Sequence, residues 1–169
     1  QFNFGPLAAS QFASTRIRLA GTQDVVAIAK MKDGSFARAS RNVKVTIGGC
    51  GGWGISRRYP MAQGVKPRIK LPKSAAAGET VTIKTLINHT MESGQRKDDD
   101  GNVIPRSIIN RFTTEFNGQL VLDVKMEPAI STNPYFEFEA VVPEAGEFKF
   151  TWYDDDGSVY ETSKKVAIA

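Results

Sequence analysis

Runs of alternating apolar and polar residues are the feature that most restricts the fold of this 169-residue chain. In one such run, Val81, Ile83 and Thr85 alternate with Thr82 and Lys84. Three further runs have the same two-residue period, within residues 43–47, 135–140 and 148–152. Because successive side chains of a β-strand point to opposite faces of a sheet, this period is typical of strands with one buried face. The sequence therefore predicts a protein built from half-buried strands.

Dipeptides that favour tight turns separate these runs at short intervals. They are Asp33-Gly34, Ala77-Gly78, Asp100-Gly101, Asn117-Gly118, Ala145-Gly146 and Asp156-Gly157. Helical signals are weak, and only residues 107–111 or 128–130 could hold a single turn of helix. Many short strands joined by tight turns predict an all-β fold, an immunoglobulin-like antiparallel β-sandwich.

An internal repeat indicates two related modules. Residues 33–45 read DGSFARASRNVKV and residues 156–168 read DGSVYETSKKVAI, so several positions coincide without a gap. An Asp-Gly turn before an alternating strand is common, so the two segments could also be similar by coincidence and not because the modules are related. The segment 48–64 contains six glycines, one proline and no alternation. We therefore predict one partial module over residues 1–52, a connector over 53–64 and one complete module over 65–169.

The partial module is short for a sandwich. Residues 1–47 supply three or four strands, which would leave a sheet face uncovered and an edge unpaired. Its last strand is predicted to end near residues 46–47, directly before the glycines. We expect the missing first half of this module to have been removed or to come from another subunit.

Composition excludes several classes of protein. The net charge is +4, but the basic residues are dispersed and acidic runs at 98–100 and 154–156 interrupt them, which argues against nucleic-acid binding. One cysteine and one histidine exclude a disulfide framework and make a metal centre of soft ligands implausible. No apolar run approaches the roughly 18–20 residues of a transmembrane helix, and residues 1–6 lack the features of a signal peptide. We predict no metal, no cofactor and no membrane span.

Cys50 is the residue best suited to carry chemistry. Two glycines precede it (Gly48, Gly49) and two follow it (Gly51, Gly52). Glycine gives the backbone its widest freedom, so these five residues form a thin arm that reaches at most roughly 16–18 Å. A free thiol with a pKa of about 8.5 is already a competent nucleophile at neutral pH. The pattern predicts an accessible thiol on a flexible arm.

Two other interpretations of the glycine-rich segment are weaker. A lone cysteine is usually buried and inert, but a core position flanked by four glycines would pack poorly. A phosphate-binding loop would need a Lys-Ser/Thr pair and a following helix, and the segment has neither.

His89 and the acidic runs are the remaining candidates. His89 could be the base of a Cys-His dyad with Cys50, but an arm this flexible is a poor partner for a fixed base. A structural or interface role for His89 is therefore favoured. Residues 98–100 precede Gly101 in a superficially calcium-like loop, yet no Glu closes it and no helices flank it. We predict a solvated hairpin turn there, and another at 154–156.

Two sets of short motifs resemble known sequences. The first set is residues 67–72 (PRIKLP), 91–98 (MESGQRKD), 104–106 (IPR), 128–135 (PAISTNPY) and 154–158 (DDDGS). Through these motifs, residues 65–169 resemble the SoxZ family of the sulfur-oxidising Sox system over nearly their full length. The second set is residues 4–6 (FGP), 15–19 (TRIRL), 43–47 (VKVTI) and 48–52 (GGCGG). Through these motifs, residues 1–52 resemble the C-terminal half of SoxY.

This resemblance implies a carrier and not an enzyme. SoxY and SoxZ are immunoglobulin-like sandwiches that pair in a periplasmic heterodimer, and SoxY holds sulfur intermediates covalently on the cysteine of a swinging arm, here Cys50. The implied partners are a c-type cytochrome that couples thiosulfate to the thiol, a thiohydrolase that releases sulfate, and a sulfur dehydrogenase that oxidises the remaining sulfur. Metals and catalytic groups would belong to those partners, and no cofactor is implied for this chain.

Two alternative functions stay open at this point. The first is a sandwich that serves only as a binding or scaffold module, with Cys50 incidental. The second is a cysteine hydrolase that uses Cys50 and His89, which predicts turnover of a thioester or sulfonate ester by the isolated protein.

Overall fold

A computed structural model describes residues 1–46 and 65–169, which contain twelve strands and no helix. The strands are β1 (Phe2–Phe4), β2 (Ala8–Thr15), β3 (Gln23–Lys30), β4 (Phe36–Val43), β5 (Arg68–Lys70), β6 (Ser74–Ala75), β7 (Glu79–Leu86), β8 (Ile109–Phe116), β9 (Gln119–Lys125), β10 (Tyr135–Val142), β11 (Gly146–Asp154) and β12 (Val159–Ile168). Within these ranges the chain has no helix long and apolar enough to cross a membrane. Residues 107–111, which could have held a turn of helix, instead lead into β8, which begins at Ile109.

The described chain divides into two compact units. The first unit combines Gln1–Ile17 with the chain from residue 65 onward, and the second unit contains the described residues from Arg18 onward to 46. The predicted boundaries at 52–53 and 64–65 fall at or inside the undescribed segment, so that domain division stays a prediction.

Two sheets build the first unit. One has six strands in the order β1-β9-β8-β11-β12-β6, and the other has four in the order β2-β10-β7-β5. Every pairing in them is antiparallel except the short parallel contact between β12 and β6. The alternating runs predicted around residues 81–85, 135–140 and 148–152 are β7, β10 and β11. The predicted all-β, antiparallel sandwich is confirmed.

Aromatic side chains join the two sheets. Phe112 of β8 stacks on Phe136 of β10, with ring centroids 5.3 Å apart, and lies 4.9 Å from the ring of Trp152 in β11. All three side chains are fully buried. Burying rings of this size removes about 150–250 Å² each from water, so this cluster is a principal source of stability.

The N-terminal strands are part of this sandwich. β1 pairs with β9, from Phe2↔Val124 to Phe4↔Leu122, and β2 pairs with β10. The Phe2 ring contacts Phe136 edge-on at 6.1 Å. Residues 1–17 therefore contribute one strand to each sheet and cover part of the shared core.

Gly5 fixes the close approach of this N-terminal segment. Its amide donates to the carbonyl of Val121 at 2.8 Å, and a Cβ there would lie 2.0 Å from the backbone oxygen of Leu120. Because backbone cannot yield as a flexible side chain does, we expect Gly5→Ala to lower the free energy of unfolding by about 1–3 kcal/mol. Urea denaturation followed by circular dichroism measures this change. Gly21 has nothing within 4 Å of its added Cβ, so an equal loss in the control Gly21→Ala would contradict the steric argument.

The second unit is a β-hairpin. β3 pairs with β4 from Gln23↔Val43 to Lys30↔Phe36. The prediction that this strand continues to residues 46–47 is wrong, because β4 ends at Val43 and the Val45 amide donates instead to Thr22 Oγ1 at 2.9 Å.

The repeated Asp-Gly-Ser sequence forms the same turn in both copies. Gly34 and Gly157 have φ of 86° and 85°, in the left-handed region that favours glycine. The Ser35 amide donates to Asp33 Oδ1 at 2.9 Å, and the corresponding serine and aspartate of the second copy are 2.8 Å apart. The local geometry of the repeat therefore follows from its sequence.

Candidate functional site

The residue on which the sequence prediction rests lies outside the described part of the chain. Cys50 and its neighbours Gly48, Gly49, Gly51 and Gly52 all fall in the undescribed segment, which begins after Thr46. The attachment of sulfur at Cys50 and the flexible arm stay predictions.

Several hydrogen bonds and ion pairs connect three loops of the first unit, which we call the loop cluster: residues 88–108, 131–134 and 154–158. These loops connect β7 to β8, β9 to β10 and β11 to β12. Four of the five stretches that carry the SoxZ resemblance lie in or directly beside them. Stretches distant in sequence therefore meet in one structure.

His89 is the centre of the loop cluster. Its Nε2 lies 3.0 Å from Asp154 Oδ2, and the side chains are only 11% and 3% exposed. Its Nδ1 accepts a hydrogen bond from the Met91 amide at 3.0 Å. Since Nδ1 is an acceptor, the proton of a neutral imidazole resides on Nε2 and is donated to Asp154.

This arrangement argues against the cysteine hydrolase. A general base needs a nitrogen lone pair directed at the nucleophile's proton. Both nitrogens of His89 are engaged within the fold, so the structure supports the structural role that the sequence favoured.

Asp154 is not in a solvated turn, and that prediction is wrong for this residue. It is 6% exposed and is the last residue of β11. The two-residue alternation of Phe148, Phe150 and Trp152 continues to Asp154, which therefore points into the core side of the sheet. Extending the alternation by one step would have identified it as buried.

Tyr160 is the second partner of Asp154. Its hydroxyl lies 3.4 Å from Asp154 Oδ2. Burial raises the pKa of Tyr160, and the nearby Asp154 carboxylate raises it further because both disfavour the phenolate. The other oxygen, Asp154 Oδ1, is buried and receives no hydrogen bond from the described residues.

Backbone contacts lock the loops together. The His89 amide donates to Asn133 Oδ1 at 3.0 Å, and the Asn133 amide donates to the His89 carbonyl at 2.8 Å. Met91 and Asn133 have φ of 52° and 56°, which is uncommon for residues other than glycine. Such conformations persist only where surrounding contacts fix them, as the hydrogen bond to His89 Nδ1 does for Met91.

Asp155 joins β8 to the β11–β12 turn. It accepts hydrogen bonds from the Arg106 guanidinium through both oxygens, at 2.9 Å each, and from Asn110 Nδ2 at 3.0 Å and the Ile108 amide at 3.2 Å. Burial alone would raise the pKa of Asp155, but these hydrogen bonds outweigh burial and hold the pKa below its ordinary value. Asp155 is thus a structural anion.

The acidic run at 98–100 is the hairpin turn that the sequence predicted. Asp98 Oδ1 accepts from the amides of Asp100 and Asn102, and Lys97 pairs with Val103. Asp98, Asp99 and Asp100 are exposed. Among residues 1–46 and 65–169, no group of three His, Cys, Asp or Glu side chains could hold a metal ion.

Family comparison identifies the chain. The family model of sulphur oxidation protein SoxZ matches residues 69–165, more than half of the sequence. The chain belongs to the SoxZ family. The model of sulfur oxidation protein SoxY matches residues 1–50, so the chain is a SoxY–SoxZ fusion. It has the role of a sulfur carrier in the Sox system.

Solved structures show weaker similarity. The sulfur carrier protein SoxY from Chlorobium limicola f thiosulfatophilum is 11% identical, with a TM-score of 0.45 over 61% of this chain and 78% of that chain. A superoxide reductase (neelaredoxin) from Ignicoccus hospitalis is 14% identical, with a TM-score of 0.43 over 61% and 80%. The search of curated proteins finds no match.

The two family matches show that the N-terminal strands come from the SoxY-like part of the chain and pair with the SoxZ-like part. β1 and β2 lie in the part that matches SoxY, and their partners β9 and β10 lie in the part that matches SoxZ. SoxY-like and SoxZ-like segments therefore pair within one chain. The loop cluster, by contrast, belongs entirely to the SoxZ match.

Proposed function

We propose that the fusion carries its sulfur compounds covalently on Cys50. Three sequence facts support this: Cys50 is the single cysteine of the chain, it stands at the end of the SoxY match, and two glycines flank it on each side. The SoxY match ending at this residue is the observation that carries the proposal. Glycines leave the thiol unobstructed on the tether.

The substrate that we propose for loading is thiosulfate. The Cys50 thiol loses its proton, a bond forms between its sulfur and the outer sulfur of thiosulfate, and two electrons pass to a c-type cytochrome. Water then attacks the terminal sulfonate sulfur in a thiohydrolase. The bond between the two outer sulfur atoms breaks, sulfate and two protons leave, and a persulfide anion remains on Cys50. A sulfur dehydrogenase oxidises that remaining sulfur.

In this scheme the chain supplies the nucleophile and the tether, and its partners supply the oxidant and the hydrolytic site. The engagement of both nitrogens of His89 supports this division, because the fold holds that histidine away from base chemistry. We further propose that the carrier works in the periplasm, as the SoxY and SoxZ resemblance implies.

The position of the arm restricts its partners. Trp53 follows Gly52 directly, so Cys50 is not at a chain end. A partner's active site must either admit a loop, with two strands side by side, or act on a chain that has been cut after Gly52.

The test is the intact mass of the purified full chain after incubation with thiosulfate and the oxidised partner cytochrome. We expect a mass increase of one S₂O₃ group that a reducing agent removes. An unchanged mass after this incubation, with a cytochrome that loads a separate SoxY, would contradict the proposal.

A further inference from the structure

β7 has one open edge in the described structure. On one side it pairs with β10 along its whole length, from Glu79 to Leu86. On the other side β5 is only three residues long and pairs with residues 84–86. No backbone hydrogen bond from the described residues reaches the part from Thr80 to Thr82 on that side.

The free backbone groups of this edge can be assigned. The Ile87 amide donates to the Pro134 carbonyl, on the β10 side. Because successive residues of a strand direct their backbone groups to alternate sides, those of Thr80 and Thr82 point away from β10. Two N–H and two C=O groups are thus available to another strand, which is the requirement for strand addition.

A basic groove follows this edge. Two adjoining depressions, of about 420 and 220 Å³, share Lys70 and Lys84 in their walls. Arg16 and Arg68 line the second depression, and Glu79 is the one carboxylate that lines either of them. Four cations and one carboxylate therefore line the groove, and Glu137 and Glu139 of β10 lie opposite Lys84 and Thr82 in the neighbouring register.

Two of these cations, Arg68 and Lys70, have no ion pair with a described carboxylate. Lys70 lies directly opposite Lys84 in the β5–β7 register, and like charges in that position repel. Lys84 has an ion pair with Glu137 at 3.3 Å. Glu79 is engaged as well, because its Oε2 accepts from the Ala76 amide at 2.6 Å.

We propose that this edge binds an extended acidic segment of a partner protein as an added strand. The segment would lie along Thr80–Thr82, in the depression that Leu71 and Pro72 border on its other side. On the face of the sheet that carries Lys84 and Lys70, the side chains of the bound segment would be carboxylates. Main-chain hydrogen bonds to β7 would supply the rest of the affinity. A carrier that serves several enzymes needs a docking surface apart from its thiol. The inference about the β7 edge does not depend on which residue carries the sulfur.

The experiment measures fluorescence anisotropy of a labelled peptide, Thr-Glu-Val-Glu-Val-Glu-Thr, with the full chain. We expect binding that Lys70→Glu weakens at least about tenfold, as reversal of a central interface charge does. Thr82→Pro should also weaken it, because this proline removes an outward N–H and leaves the ladder to β10 intact. Lys165→Glu, at an exposed lysine on β12 of the other sheet, should change binding by less than about twofold.

Four results would overturn the proposal. The first is no binding of the acidic peptide. The second is equal binding of a peptide that is N-methylated at every interior residue, because such a peptide has no N–H group to donate along either edge. The third is displacement of the peptide by sulfate at concentrations where sodium chloride of equal ionic strength leaves it bound. That result would make the groove a binding site for small oxyanions. The fourth is a dimer in sedimentation velocity that Lys70→Glu dissociates, which would make a second copy of the chain the occupant.

Discussion

The Cys50→Ser variant is expected to take up no sulfur from thiosulfate in the presence of the oxidised partner cytochrome. Serine keeps the size of the side chain, but its hydroxyl cannot form the disulfide-type bond on which loading depends. Since Cys50 is the single cysteine of the chain, no other thiol can replace it. Intact mass after incubation measures the loss, and unchanged circular dichroism controls for folding.

A relocated cysteine separates the thiol from its arm. Ser163 is exposed on β12, so Ser163→Cys combined with Cys50→Ser presents an accessible thiol on a rigid strand. We expect iodoacetamide to label this variant and the cytochrome not to load it, because a strand cannot enter an active site as an arm can. Loading at the wild-type rate would show that any exposed thiol suffices and that the glycine arm has no role.

The sandwich could be predicted because several of its strands bury every second residue. In β10 and β11 every second residue is apolar and buried, from Phe136 to Val142 and from Phe148 to Trp152. That alternation is a local property, and the turns at Gly34, Gly118 and Gly157 are local as well. Both can be read from a few neighbouring residues without knowledge of the rest of the chain.

The partners of the strands could not be predicted in this way. Phe2 pairs with Val124, more than a hundred residues away, and no local pattern specifies such a contact. The end of β4 was missed for a related reason, because Val45 continues the alternation but binds a side chain, Thr22, and not a strand. Gly146 was predicted as a turn glycine but is required for space, since a Cβ there would lie 2.5 Å from the ring of Phe116.

The candidate functional residues likewise include some that neighbouring residues reveal and some that only tertiary contacts reveal. Cys50 stands out from sequence because its glycines are adjacent to it, whereas the loop cluster exists only once three separate loops are folded together. Asp154 and Asp155 are neighbours in an acidic run, yet one is buried against His89 and the other binds Arg106. The composition of an acidic run predicts exposure to solvent, but tertiary contacts bury Asp154 and engage Asp155.

Replacing Asp154 by alanine is expected to lower the free energy of unfolding by about 2–4 kcal/mol, because each buried donor left without its acceptor costs about 1–3 kcal/mol. The loss arises because His89 Nε2 and the Tyr160 hydroxyl would both remain in the interior without their acceptor. Asp154→Asn keeps an oxygen for the histidine N–H, so we expect it to cost only about 1–2 kcal/mol. Urea denaturation measures both values, and a loss below 1 kcal/mol for Asp154→Ala would contradict a structural role.

The same variants distinguish an architectural role from a chemical one. If Asp154 and His89 only hold the loop cluster together, folded Asp154→Ala protein at low temperature should still load sulfur on Cys50 at the wild-type rate. Hydrogen exchange at the Met91 amide should accelerate in that variant, because His89 Nδ1 accepts from it only while Asp154 orients the ring. Loss of sulfur loading with unchanged exchange at Met91 would reverse this conclusion, since the pair would then act in chemistry and not in the fold.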